Sequence, residues 1–371
     1  MNLAAIITKS QQDREGWKYT SLQALCAVNF APADGMADIA PDILPSILPE
    51  SDRHRLVFVD GHLRGALSAI DDLPAGLVSG DGETGYVLTV QGQTCLITAP
   101  LELVFVTTKT AEARQSRVAL RLELGANARL TMIEHHLSLG TGAAHVGVLS
   151  TGIHLHEQSK LLHAKFQDLA AEDYHLSQTR VQVDKGAFYD HFAMTTGASL
   201  SRYDIAIELA GALAQAQLHG VYLQRGAQHT DTNLIVDHAA PHTTSREVYK
   251  GVLDGKARGV FQGRILVRPG AQKTDAQQMS RALLLSDQAE ADSKPELEIY
   301  ADDVKCGHGA TIGQLDEAAL FYLRSRGVPE AAARALLIEA FAGEVIAQLG
   351  LAALREFAAR RAQAWYNATG F

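Results

Sequence analysis

Cysteine is scarce in this chain: three in 371 residues, at Cys26, Cys95 and Cys306, far apart in sequence. An odd, sparse count excludes a disulfide framework and points to a reducing, cytoplasmic setting. No Cys-x-x-Cys pair occurs, which disfavours a zinc ribbon or a thiol redox site. Basic charge is also short: 33 Lys and Arg stand against 42 Asp and Glu, a net −9. A broad nucleic-acid surface, whose affinity rests on Lys and Arg, is not expected. Long apolar runs are missing. The most apolar stretch, Ala331 to Leu354, is broken by Arg334, Glu339, Glu344 and Gln348, so no span of the ~20 apolar residues a bilayer needs is expected. Met1 to Ser10 has neither a basic leader nor a full hydrophobic region, and no signal peptide is expected. Nucleotide and hydrolase signatures are absent as well. Gly251-Val252-Leu253-Asp254-Gly255-Lys256-Ala257 only echoes a phosphate loop, with the wrong spacing and no hydroxyl for magnesium. No Gly-x-Gly-x-x-Gly opens a helix, and no Gly-x-Ser-x-Gly elbow occurs.

What is present is a core-forming composition, 47% hydrophobic with 31 glycines. Between residues 54 and 314 apolar residues alternate at strand spacing: Leu56 and Phe58, Val118 to Leu124, Val181 and Val183, Ile205 and Ile207, Ile265 and Val267. Gly-Ala pairs such as Gly125-Ala126, Gly186-Ala187 and Gly270-Ala271 punctuate these segments. Glycine permits a φ > 0 corner, and alanine adds little bulk behind it. Many short strands with corner glycines imply an all-β core. The corner spacing is too irregular for a strict repeat, and a solenoid with irregular rungs fits better than a propeller, which should show a blade signature. Residues 1–53 read as a short helix and a wrapping arm, with Trp17 and Tyr19 as its anchors. Residues 315–371 read as helical. Leu315, Leu320 and Leu323 with Phe321-Tyr322 mark one amphipathic helix ended by Gly327, and Pro329 suits the first turn of the next. The run Leu336, Leu337, Phe341, Val345, Ile346 is continued by Leu351, Leu354 and Phe357. These helices either cap the core or present a face to a partner.

Fifteen histidines remain. His135-His136, His154-x-His156 and the group His229, Asp231, Asp237, His238, His242 stand out. His238 and His242 have the i, i+4 spacing of helical metal ligands, but Pro241 lies between them. Most such histidines are hydrogen-bonded rung or loop residues. The densest chemistry is Asp302-Asp303-Val304-Lys305-Cys306-Gly307-His308-Gly309. If extended, this piece presents Cys306 and His308 on one face about 7 Å apart at Cα. A thiolate and an imidazole so placed can reach one iron or zinc ion, or form a Cys–His nucleophile pair. Alternatively, Cys306 is a small buried hydrophobe and His308 a satisfied turn residue. Iron–sulfur clusters take mostly thiolate ligands, so this chain alone could not hold a stable cluster.

The sequence resembles the SufD family of iron–sulfur cluster assembly subunits. The resemblance is carried by Glu15-Gly16-Trp17-Lys18-Tyr19-Thr20, Tyr249-Lys250-Gly251-Val252-Leu253, Ala257-Arg258-Gly259-Val260-Phe261-Gln262-Gly263 and Ala271-Gln272-Lys273-Thr274-Asp275-Ala276. Its densest parts are Asp302 to Asp316 and Phe321-Tyr322-Leu323-Arg324-Ser325-Arg326-Gly327. It implies a mainly β fold, a right-handed parallel β-helix core (54–314) flanked by helical N-terminal (1–53) and C-terminal (315–371) segments. It further implies a non-catalytic scaffold that pairs with SufB through the β-helix edge. The ATPase SufC would dock at the C-terminal helices, around Phe321, Tyr322, Arg324, Arg326 and Gly327. Cys306 and His308 would meet transient iron or a nascent cluster at the SufB junction, with nothing tightly bound by the isolated chain. The late cysteine block of SufB is absent, Gly307 stands where the family often has Ser, and the short N-terminal part implies a reduced helical domain. When isolated, the chain is expected to self-associate through the same edge. A reading of another class is a metal-dependent hydrolase on a β-helix, with His229, Asp231, His238 and His242 as ligands.

Overall fold

The computed structural model describes residues 2–45, 47, 54–69, 77–82, 85–90 and 99–367; Cys95 and Pro49 lie outside them. The N-terminal segment holds α1 (Leu3–Gln12), capped by the Asn2 side chain, α2 (Gln23–Cys26) and β1 (Ala31–Pro32). Then come β2 (His54–Val59), β3 (His62–Leu63), β4 (Leu77–Gly82), β5 (Gly85–Val90), β6 (Leu101–Thr108), β7 (Arg114–Leu124) and β8 (Arg129–Leu139). The middle strands are β9 (His145–Leu155), β10 (Lys160–Leu169), β11 (Tyr174–Val183), β12 (Phe188–Gly197), β13 (Leu200–Leu209) and β14 (Gln215–Gln224). The last are β15 (His229–His238), β16 (Thr244–Leu253), β17 (Arg258–Val267), β18 (Asp275–Leu284), β19 (Glu290–Ile299) and β20 (Lys305–Gly313).

From β5 onward each strand pairs in parallel with the next but one, so the odd strands build one sheet, brought to ten strands by β4 and β1, and the even strands another, brought to ten by β2 and β3. This is a parallel β-solenoid, the architecture that the irregular corner spacing favoured over a propeller. The register advances by 26 residues from Ser177 to Tyr203 and by 32 from Phe261 to Ser293. Inward-facing residues such as Leu120, Leu149, Ile205 and Leu234 form one core.

The corner between each odd strand and the following even one is more regular than the sequence suggests. Asn127, Gln158, Gly186, Leu213, His242 and Lys273 all have φ near +60°. Each is followed by a buried small residue, respectively Ala128, Ser159, Ala187, Ala214, Thr243 and Thr274. Their backbone N–H groups donate to the next corner down, from Asn127 to the Glu157 carbonyl through to Lys273 and Asp303. Only one of the six is a glycine, so the glycine pattern concealed a true repeat. His242 is thus a corner residue in the left-handed region.

Strands of a parallel solenoid are buried on both faces where something covers the outside. Trp17 does so for one sheet, buried with Ile6, Leu176 and Leu200, its ring stacked under the Arg202 guanidinium at 3.8 Å; Tyr19 is half-buried. On the other sheet lie α4 (Glu330–Ile346) and α5 (Ala352–Asn367), whose Ile338, Ala342, Phe357 and Trp365 pack on Ile133, Phe166, Phe192 and Val221. The chain breaks between these helices at Leu349 to Leu351 instead of continuing one helix. Before them, α3 (Glu317–Ser325) is capped by the Asp316 carboxylate, which accepts from the Ala318 and Ala319 N–H groups. It closes in a Schellman turn: Gly327 (φ +86°) donates to Arg324 and Val328 to Leu323. Pro329 sits at the N-cap of α4, one position ahead of the first turn.

Candidate functional site

The solenoid ends in an uncovered rung. β19 and β20 each have a single strand neighbour among the described residues, β17 and β18 respectively. Burial along the inward rows fails at this last step. Val267 and Gln278 are buried, but their partners Ile299 and His308 are exposed. Ile312, opposite buried Ala282, is also exposed.

Cys306 and His308 stand on this rung, on β20, two residues apart and therefore on the same face. Cys306 is half-buried against the cluster of Ile265, Val267 and Ala276. Burial pushes its thiol above the usual range, and the Asp275 charge adds to that, against a backbone hydrogen bond at Ala276. The thiol is therefore protonated near neutral pH and is a poor free nucleophile; a metal would have to displace that proton. Among the described residues no third His, Cys, Asp or Glu joins Cys306 and His308 in a metal-sized group. The pair offers two donors on the inward row of the open last rung.

The predicted partner-binding residues lie together on α3 and its C-terminal turn. Phe321 is 72% exposed and Tyr322 57%. Arg326 stacks over the Tyr322 ring at 5.2 Å, and Arg324 reaches Glu330 at 3.4 Å. The C-terminal helices thus do two things: α4 and α5 cover a sheet while α3 shows aromatic surface to solvent.

The group His229, Asp231, His238 and His242 does not converge. His229 and His238 occupy opposite ends of β15. Asp231 is sealed under the N-terminal arm, with Arg202 at 2.5 Å and the Thr20 hydroxyl donating at 2.5 Å. His238 bonds Thr243 and Ser245 inside the solenoid, and His242 holds its corner. A hydrolytic metal centre built from these four is thereby excluded.

What sequence reasoning missed is a buried polar network inside the solenoid. The Glu134 carboxylate accepts from His163 and His136, each at 3.0 Å, and His163 Nδ1 meets the Tyr189 hydroxyl at 2.9 Å. Lys165 donates to Ser177 at 2.9 Å and lies 4.1 Å from the Tyr203 ring. Burial alone would raise the Glu134 carboxyl; the His163 charge, hydrogen bonds from His136 and His163, and Lys165 together hold it well below the usual range. Burial lowers Lys165 to about 8 and His136 to about 4. Nearer the open end, burial raises Glu247 to about 8 although Gln278 donates to it at 2.5 Å.

Comparison with known proteins fits this architecture. Residues 105–341 match the family model described as "SUF system FeS cluster assembly, SufBD core domain". An iron–sulfur cluster assembly SufBD family protein of Synechocystis is 30% identical, over 92% of this chain and 84% of the relative. The iron–sulfur cluster assembly protein SufD of Escherichia coli is 32% identical, over 89% and 83%. A chloroplastic protein of Arabidopsis thaliana, ABCI7, is 28% identical over 72% and 58%. With a family model matching well over half its length and a solenoid ending in the Cys306–His308 strand, this chain belongs to the SufBD family.

Proposed function

We propose that this chain is a non-catalytic scaffold subunit for iron–sulfur cluster assembly, working at a junction with a second subunit. The observation that carries the reading is a coincidence on one strand: β20 has both a sheet edge left unpaired among the described residues and the Cys306–His308 donor pair. Two donors fall short of what a cluster takes, so further ligands come from whatever covers that edge. The family resemblance supports SufB as the covering subunit. Of the two terminal strands β20 is the better template, because β19 carries Pro295, which has no N–H to give. Iron or a nascent cluster is then cargo held at the seam and passed on. The exposed Phe321 and Tyr322, with Arg324, Arg326 and Gly327 at their side, are the docking face for the ATPase SufC.

Complementation of a strain lacking this subunit tests the ligand role. His308→Ala is expected to fold and to co-purify with SufB and SufC, yet to mature iron–sulfur enzymes poorly. Full maturation by that variant would remove His308 from the mechanism. Phe321→Ala/Tyr322→Ala is expected to lose SufC while keeping SufB; retention of both would move the ATPase elsewhere.

A further inference from the structure

Far from β20, the outer surface of the odd-strand sheet carries a constructed group of two histidines and two carboxylates. Register places Glu123 of β7 beside His154 of β9, and His154 beside Gln182 of β11. His156 and Asp184 follow two residues on, just past the ends of β9 and β11. Glu123 Oε2 stands 3.4 Å from His154 Nδ1 and 3.3 Å from His156 Nε2. Ligands about 2.0–2.1 Å from a tetrahedral ion are about 3.3–3.4 Å apart, so these spacings match the edges of a metal tetrahedron.

Hydrogen bonding around the group orients it. Arg121 donates to the other Glu123 oxygen at 2.7 Å, and Gln182 to the other Asp184 oxygen at 3.1 Å. Asp184 Oδ2 accepts from His154 Nε2 at 3.0 Å. A proton on Nε2 leaves the Nδ1 lone pair facing the Glu123 oxygen: two acceptors that a cation between them would reconcile. A carboxylate behind a ligating imidazole is the usual support of a metal-bound histidine. All four side chains are partly exposed, so an ion can enter without unfolding the site. The site borders a groove of about 680 Å³ whose lining includes Arg117, Arg180 and Gly152.

We propose that Glu123, His154 and His156 bind one divalent first-row transition-metal ion, with Asp184 as the positioning residue behind His154. Two imidazoles and one carboxylate with a position left for solvent suit iron(II), cobalt(II) or zinc, and not calcium or magnesium. The proposal does not depend on the scaffold reading, and its test uses the Cys306→Ser/His308→Ala background to silence the other donors.

The full-length chain in that background would be titrated with cobalt(II) under nitrogen, followed by calorimetry and visible absorption. The expected result is one ion per chain, uncompeted by millimolar magnesium. Affinity should fall at least ~10-fold in Glu123→Gln and in His154→Gln/His156→Gln, and ~10-fold to 100-fold in Asp184→Asn. Iron(II) should compete with cobalt(II) for the same site. No uptake by the parent chain would overturn the proposal, as would equal affinity in Glu123→Gln and His154→Gln/His156→Gln with thermal melts unchanged. The group would then be a surface ion-pair cluster.

Discussion

At the scale of single residues, Glu247 shows how far the solenoid interior departs from water. Burial holds its carboxyl at about 8, so the native state prefers it protonated. A raised carboxyl contributes stability that is complete below the unfolded value near 4.5 and is lost as pH climbs toward 8. Each pH unit in that window removes about 1.4 kcal/mol, on the order of 3 kcal/mol by pH 7. Glu247→Gln keeps an acceptor for Gln278 and carries no charge to bury. It is expected to melt above the parent chain at pH 7 to 8 and to lose that advantage at pH 5; a series of melts against pH checks this, and parallel curves would refute it. Residues such as Glu134, His163 and Lys165 were illegible in the sequence for a related reason. In β10, Lys-Leu-Leu-His-Ala-Lys-Phe-Gln-Asp-Leu, the polar residues at alternate positions read as a solvent face. They point inward, and Ala164 and Phe166 point outward to the helices. Alternation specifies two faces; which one meets water depends on what a distant segment covers. Cys306 and His308 were legible, because a short extended motif places its own donors.

At the scale of elements, the corners decide whether rungs stack. Gly197, at the end of β12, has φ +75°, and a Cβ there would lie 1.8 Å from the Leu169 carbonyl oxygen of the rung below. Gly197→Ala therefore meets backbone that cannot yield, in a conformation that already disfavours a side chain. A loss of at least about 2 kcal/mol is expected in denaturant titration, and a loss under about 0.5 kcal/mol would show that the corner relaxes. The regular left-handed corners escaped sequence reading because Asn, Gln, Leu, His and Lys occupy five of six. What recurs is the small residue after them, a weak signal. The strands themselves were legible from period-2 alternation, and the end of α3 from Gly327. The α4–α5 break was not, since Leu349, Leu351 and Leu354 keep an apolar rhythm across it. Helix α4 is held by Lys250 of β16, which donates to the Phe341 carbonyl at 2.9 Å and the Glu344 carboxylate at 2.5 Å, a cross-tie no local pattern predicts.

At the scale of the whole molecule, the open last rung is the decisive feature. Ile299 and Ile312 are exposed apolar residues on inward rows, and in the proposed scaffold role a second chain continues the core there. Alone, the protein is expected to pair with itself there, and adding SufB should dissolve that homodimer in size-exclusion chromatography. The most direct measurement is co-purification of SufB with Ile299→Glu/Ile312→Glu. These side chains are already exposed in the single chain, so the isolated variant should fold, with a circular dichroism spectrum like that of the parent. Capture of SufB should be lost while SufC, proposed to dock at α3, is kept; undiminished capture of SufB by this folded variant would refute a shared seam at the last rung.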